Sequence, residues 1–212
     1  MDQFSEHRLY NKDLVIEAGS TAILVVDMLN DFCTDGGCMV LPSANLLYSP
    51  QREVLSTARQ HGANVLYVND SHRHNMRVER EFVKRTPHCW ENSWGSEVVD
   101  QLAPLEGDLI VVKRRYSGFF QTDLELTLRD LDIKTVIVMG VVTNICVRST
   151  VHDAFFLGYK VVVPHDCVAA TGQREQDSTL YDIGTHFGWV STSAAVVAGL
   201  SNGTQVFNLI DE

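Results

Sequence analysis

No run of Lys or Arg in this chain exceeds Lys113-Arg-Arg115, and the net charge is −10. Nucleic acid and anionic membrane surfaces need clustered cations, so neither is an expected partner. No apolar stretch approaches the roughly 20 residues that span a bilayer. The opening Met1-Asp-Gln-Phe-Ser-Glu-His7 lacks the basic-then-apolar pattern of an export signal. Five cysteines are an odd number without such a signal, so reduced thiols and a cytoplasmic location are expected rather than a disulfide framework. The Asn202-Gly-Thr204 sequon then carries no meaning. There is no Gly-rich phosphate loop, dinucleotide fingerprint, His-Glu-x-x-His pair or Gly-x-Ser-x-Gly elbow, which excludes a nucleotide cofactor and serine chemistry. Nor is there a linker, repeat or low-complexity segment. With 212 residues, 45% hydrophobic and 21% charged, the chain reads as one globular domain over residues 1–212.

What is present is an alternation of short β-branched runs with helical segments. Strands are expected at Thr21–Val26, Ala63–Val68, Leu109–Val112, Thr135–Met139 and Lys160–Val163, with a short one near Trp189. Ser49 and Pro50 read as cap and first position of a helix that stops at His61-Gly62. Thr122-Asp-Leu-Glu125 has capping-box spacing for a helix to about Leu131, and a last helix is expected from Glu175 to His186. Between Ser71 and Gly95 lies an aromatic-rich, aperiodic stretch long enough for a functional loop. Strands continuous in Val, Ile and Leu are buried on both faces, and strand–helix alternation makes the sheet mostly parallel. The fold class is therefore α/β: a doubly wound sheet with helices on both faces.

Ligands of such sheets lie beyond the carboxyl ends of the strands. Asp27, Lys113 and Cys146 each fall at or just beyond the carboxyl end of a different strand, so all three converge on one sheet edge. Cys146 also opens a helix that closes at Gly158, where unpaired N–H groups and the helix dipole favour thiolate. A nucleophilic thiol, a carboxylate to shuttle its proton, an ammonium to hold both, and backbone N–H groups for an oxyanion are the parts of amide hydrolysis. Each residue alone also has a plain structural reading: a turn-forming Asp, a solvated Lys, a small core Cys. Phe32, Trp90, Trp94, Phe119 and Phe120 flank these motifs and read either as an apolar pocket wall or as ordinary core. Cys33 and Cys38, His152 and Asp153, and His165-Asp166 read as incidental, packing or turn residues.

Three segments, Asp27-Met-Leu-Asn-Asp-Phe32, Lys113-Arg-Arg-Tyr-Ser-Gly-Phe-Phe120 with Thr122-Asp-Leu124, and Gly140-Val-Val-Thr-Asn-Ile-Cys-Val147, resemble in order the signatures of the isochorismatase-like cysteine hydrolases. The resemblance runs from about Thr21 to Ala195. It implies an Asp27–Lys113–Cys146 triad, a cis peptide at Val141–Val142, and an oxyanion hole from the amides of Val142 and Cys146. True isochorismatases lack the cysteine, so Cys146 implies C–N hydrolysis of a small carboxamide, ureide or N-carbamoyl compound with release of ammonia. Arg115-Tyr-Ser-Gly-Phe-Phe120 and Phe187-Gly-Trp-Val-Ser191 look like ureidoacrylate amidohydrolases. Asp70-Ser-His72 and Pro87-His-Cys89 instead resemble nicotinamidases, where an Asp and two His hold a divalent ion, making Asp70, His72 and His88 candidate ligands for zinc, iron or manganese. Asn144 departs from the Thr-Asp those enzymes commonly carry. No cofactor is otherwise required. By resemblance the assembly is a homodimer or homotetramer, and a non-catalytic binding or scaffold role is the alternative outside enzymes.

Overall fold

The computed structural model describes residues 13–76 and 79–211. In chain order its elements are β1 (Thr21–Val26), α1 (Asn30–Cys33), α2 (Tyr48–His61), β2 (Asn64–Asp70), β3 (Leu109–Lys113), α3 (Leu124–Asp130), β4 (Thr135–Val141), α4 (Arg148–Phe156), β5 (Lys160–Pro164), β6 (Val168–Ala169), α5 (Gln173–Asp182), β7 (Trp189–Ser191) and α6 (Ser193–Asn202). Six strands run in the order β3-β2-β1-β4-β5-β7, with β6 paired to β4, and every pairing is parallel. The chain winds outward from β1 in one direction and from β4 in the other. Right-handed crossovers then carry α2 and α4 to opposite faces of the sheet. Helix α6 packs along α2. Among the described residues no helix is long and apolar enough to cross a membrane.

Burial follows position in that order. All residues of β1 and β4, at the centre, are buried. Continuous burial of β-branched side chains on both faces is what a covered parallel sheet demands. Strand β3 departs from the expectation: Leu109, Ile110 and Val112 are exposed at 39%, 57% and 49%, because β3 is an edge strand.

Several boundaries also differ from the sequence reading. Helix α2 begins at Tyr48, entered from a 3-10 turn over Ala44–Leu47, and Ser49 does not cap it. Its end is as expected: Gly62, at φ 80°, takes the left-handed conformation that a glycine adopts without steric cost. Thr122 accepts the N–H of Leu124 (3.2 Å) instead of closing a reciprocal box. The last expected helix is α5, followed by a wide π-type turn over Ile183–Phe187. Helix α6 was not anticipated, although Thr192 caps it by accepting from Ala195 N at 3.0 Å.

One glycine fixes the register around the site. Gly140 lies opposite Val26 in the β1–β4 ladder, with φ 121°. A Cβ there would sit 2.0 Å from the Val26 carbonyl oxygen, so only glycine lets β4 approach the residue before Asp27.

Candidate active site

The parallel register brings the ends of four adjacent strands to one place. Val26 lies opposite both Val68 and Gly140, and Asp70 opposite Lys113. Asp27 follows β1 with φ 53°, a left-handed turn that swings its side chain over the strand ends. Its Oδ1 accepts the backbone N–H of Asp70 (2.8 Å), and its Oδ2 lies 2.9 Å from Lys113 Nζ. Lys113 Nζ in turn lies 3.6 Å from Asp70 Oδ1 and 3.8 Å from Cys146 Sγ. The Val141–Val142 peptide is cis. Cys146 sits in a π-type turn over Thr143–Val147, two residues before α4 begins. Asn144 and Thr171 tie that turn to the loop after β6 by two 3.3 Å hydrogen bonds.

The electrostatics differ from those of an exposed helix start. Burial would strip the proton from Lys113, but Asp27 and Asp70 outweigh it and hold the ammonium well above its ordinary range. Burial raises the Asp27 carboxyl, and Asp70 adds to this against the opposing pull of Lys113. Burial also pushes the Cys146 thiol well up; Lys113 works against this, while Asp27 and Asp70 reinforce it. The expectation of a resting thiolate is therefore corrected. Enclosure beside two carboxylates outweighs the helix start, leaving a protonated thiol against a carboxylate of high proton affinity.

A second cluster adjoins the first. His72 pairs with Trp90 in an isolated parallel bridge, held by His72 N→Cys89 O and Glu91 N→His72 O, both 2.8 Å. This folds the Ser71–Gly95 stretch back so that His72 Nε2 and His88 Nε2 both reach Asp70 Oδ2 at 3.1 Å. Glu81 completes the group: one ligand atom from each of Asp70, His72, Glu81 and His88 lies within 4.8 Å of the others, and all four residues are buried. Although burial pushes the Asp70 carboxyl up, Lys113 and the two imidazoles hold it well below the usual carboxylate range. Among the described residues Glu81 Oε1 has no hydrogen-bond partner.

Both clusters open on a cavity of about 510 Å³. Its inner end carries Asp27, Asp70, Glu81, His88 and Cys146; apolar walls come from Phe32, Leu41, Pro42 and Ile145; Arg85 and Tyr116 also line it. Of the five flanking aromatics only Phe32 lines this space. Trp90 packs behind the His72 cluster against Phe82 and His74, with ring centroids 5.1 Å away in each case. Trp94 is 48% exposed, and Phe119 stacks on Tyr159 at 6.1 Å. Phe120 is 52% exposed in a separate depression with Arg73 and Arg114. These four are corrected: proximity in sequence to the motifs put them near the strand ends but outside the cavity. All five cysteines are free.

Residues 21–195 match the family model for the isochorismatase domain. The chain belongs to the isochorismatase family. It is 32% identical over 217 residues to the ureidoacrylate amidohydrolase RutB of Stutzerimonas stutzeri (strain A1501), covering 91% of this chain and 88% of that one. Among solved structures, a cysteine hydrolase from Pseudomonas syringae pv. phaseolicola 1448A superposes with a TM-score of 0.86 at 30% identity, over 92% of this chain and all of that one. N-carbamoylsarcosine amidase from Thermoplasma acidophilum gives a TM-score of 0.73 at 35% identity, over 82% and 96% of the respective chains.

Within this isochorismatase-family fold, the sequence reading missed Glu81, Arg85, Tyr116 and Thr171. Tyr116 lies three residues beyond Lys113 inside a quoted motif and was open to notice. Glu81 and Arg85 sit among alternating charges with no periodicity, and only the loop's return path brings them inward.

Proposed function

We propose that this isochorismatase-family protein is a cysteine-dependent amidohydrolase that cleaves a C–N bond of a small carboxamide, ureide or N-carbamoyl compound. The carrying observation is the chain Asp27–Lys113–Cys146, with separations of 2.9 and 3.8 Å, its Asp and Lys buried and its cysteine half-buried where it lines a cavity. The relatives named for ureidoacrylate and N-carbamoylsarcosine cleavage support a substrate of that chemistry. Asp27 takes the thiol proton as Sγ of Cys146 attacks the carbonyl carbon, and the amides of Val142 and Cys146 receive the oxyanion. Collapse of the tetrahedral species breaks the C–N bond; Asp27 hands its proton to the leaving nitrogen, which departs as ammonia. Water, deprotonated by Asp27, then hydrolyses the thioester and regenerates the thiol. Lys113 stays charged throughout and stabilises Asp27 and the sulfur as their charges change.

The buried cluster of Asp70, His72, Glu81 and His88 fits a divalent cation of the zinc, iron or manganese type. Mixed imidazole and carboxylate donors suit such ions, and the unpartnered Glu81 Oε1 is a free ligand atom. A bound ion would supply a Lewis acid beside the triad. This observation favours a second reading, a metal-containing nicotinamidase.

Ammonia release from ureides, carbamoyl amino acids and nicotinamide, measured with and without chelator beside Cys146→Ala, separates the two. Ureide hydrolysis that survives chelation and is abolished by the substitution supports the first; nicotinamide hydrolysis lost on chelation supports the second. Full activity in Cys146→Ala refutes both.

A further inference from the structure

One acid of the first motif takes no part in the chemistry above. Asp31 lies in α1, four residues beyond Asp27, and three other segments meet on its carboxylate. Its Oδ2 accepts the backbone N–H of Cys89 at 2.7 Å, and its Oδ1 accepts that of Cys38 at 3.3 Å. The turn Trp94–Ser96 closes over it so tightly that a Cβ on Gly95 would sit 2.3 Å from Oδ2. Asn30 fixes the same turn, donating from Nδ2 to the Trp94 carbonyl at 2.9 Å. Of these contacts, the one to Cys89 reaches furthest. Cys89 is fully buried with φ 46°, a left-handed conformation that a residue with a Cβ keeps only where its surroundings impose it. Its N–H goes to Asp31, its carbonyl accepts the His72 N–H at 2.8 Å, and His88 directly precedes it. The peptide groups on either side of Cys89 thus join Asp31 to both imidazoles that reach Asp70.

We infer that Asp31 is a positioning residue for the cation cluster: its carboxylate holds the Cys89 N–H and thereby sets His88 and His72 where both face Asp70. The inference rests on the cation reading of that cluster proposed above. Asp31 is not itself a ligand, since the converging donor atoms belong to Asp70, His72, Glu81 and His88. It supplies position rather than charge. Released from its anchor, Cys89 relaxes toward negative φ, which turns the peptide joining it to His88 and draws that imidazole off Asp70. Groups that orient metal ligands in this way are worth about 10- to 100-fold in affinity. The same residue also shapes the opposite wall of the cavity. The Met39 N–H donates to the Asp31 carbonyl at 2.9 Å, and the Leu41 N–H to the Phe32 carbonyl at 2.8 Å, which lays that wall along α1.

The test needs no turnover. Zinc affinity is read by competition with a chromophoric chelator, and the imidazole resonances of His72 and His88 by NMR on the zinc-free protein. Asp31→Ala should weaken zinc about 10- to 100-fold and shift both sets of resonances. Asp31→Asn removes the charge but keeps an oxygen for the Cys89 N–H, so it should retain most of the affinity. Gly95→Ala keeps the charge and every polar group but drives a Cβ into Oδ2, so it should reproduce the loss; it also serves if Asp31→Ala does not fold. Asp166→Ala, which removes a comparable carboxylate contact to Ser193 N (2.8 Å) at the start of α6, should leave both readouts unchanged. Unchanged affinity in Asp31→Ala or Gly95→Ala, an equal loss in Asp31→Asn, or a similar loss in Asp166→Ala overturns the inference. Failure of the cation reading appears separately, as a parent protein that takes up no zinc. The zinc-free resonances then decide on Asp31, and unmoved imidazoles in Asp31→Ala overturn its role.

Discussion

Removing the Lys113 ammonium should destabilise the fold by an amount that grows with pH. Lys113 is fully buried, 2.9 Å from Asp27 and 3.6 Å from Asp70. In Lys113→Met, Asp27 loses the contact that opposes its desolvation, leaving burial and Asp70 to raise its carboxyl further. Breaking a buried pair from one side costs about 3–5 kcal/mol. Protonation of Asp27 limits that cost: at pH 7, protonating a group with an ordinary pKa of about 3.9 takes roughly 4 kcal/mol, at 1.36 kcal/mol per unit. The sign follows from linkage. Asp27 in the variant has a folded-state pKa above its unfolded one, so stability is greatest below the unfolded value and falls as pH rises toward the folded value. Because Asp27 is already raised in the parent, the loss relative to the parent should be at most about 4 kcal/mol at pH 7, and smaller at pH 5 by no more than about 2.7 kcal/mol. Urea denaturation at both pH values, in chelating buffer so that no ion occupies the Asp70 cluster, measures it. Asp27→Asn in the Lys113→Met background should recover most of the loss at pH 7, because Asn still accepts the Asp70 N–H. A pH-independent loss, or a double variant no more stable than the single one, would refute the reasoning.

Two further outcomes follow from the same geometry. Cys146 is a protonated thiol, held well above its ordinary pKa by burial and two carboxylates. Its alkylation by iodoacetamide, followed by peptide mass spectrometry, should therefore be slower than that of a free cysteine at pH 8 and still climb beyond pH 9; a plateau below pH 8 contradicts this. The Asp70–His72–Glu81–His88 cluster should take up about one equivalent of zinc in equilibrium dialysis, and Glu81→Gln should weaken it by tenfold or more. Uptake indifferent to Glu81 would remove that residue from the ligand set.

The residues legible in the sequence are those whose position is set by strand geometry. Asp27, Asp70 and Lys113 lie at the ends of runs of β-branched residues, and parallel pairing in a switch-point sheet leaves those ends nowhere to go but together. Cys146 was legible for the same reason, but its protonation state was not. Helix position is a local property, whereas burial of the thiol is tertiary and the charges of Asp27 and Asp70 come from strands more than 70 residues away. The pocket aromatics failed on direction. Phe119 and Phe120 follow β3 closely, yet the turn after Lys113 carries one onto Tyr159 and the other to solvent. Helix α6 was missed because Ser193-Ala-Ala-Val-Val-Ala-Gly-Leu200 is small and apolar on all sides, with no polar stripe to reveal a period.

The division between strand ends and loop also divides chemistry from selectivity. Asp27, Lys113 and Cys146 are held through the sheet ladder, whose register Gly140 enforces by allowing a backbone approach that any Cβ would block at 2.0 Å. Moving Asp27 or Cys146 means shifting β1 or β4, whose residues are all buried and where packing leaves no slack, while Lys113 ends the edge strand β3 with its own side chain fully buried. Arg85 and Glu81 belong to a loop anchored by the His72–Trp90 bridge and the contacts of His72 and His88 with Asp70. Outside those anchors the loop presents exposed side chains from Val83 to Pro87, where substitutions cost little stability. Arg85, which lines the cavity, can therefore be substituted without shifting Asp27, Lys113 or Cys146.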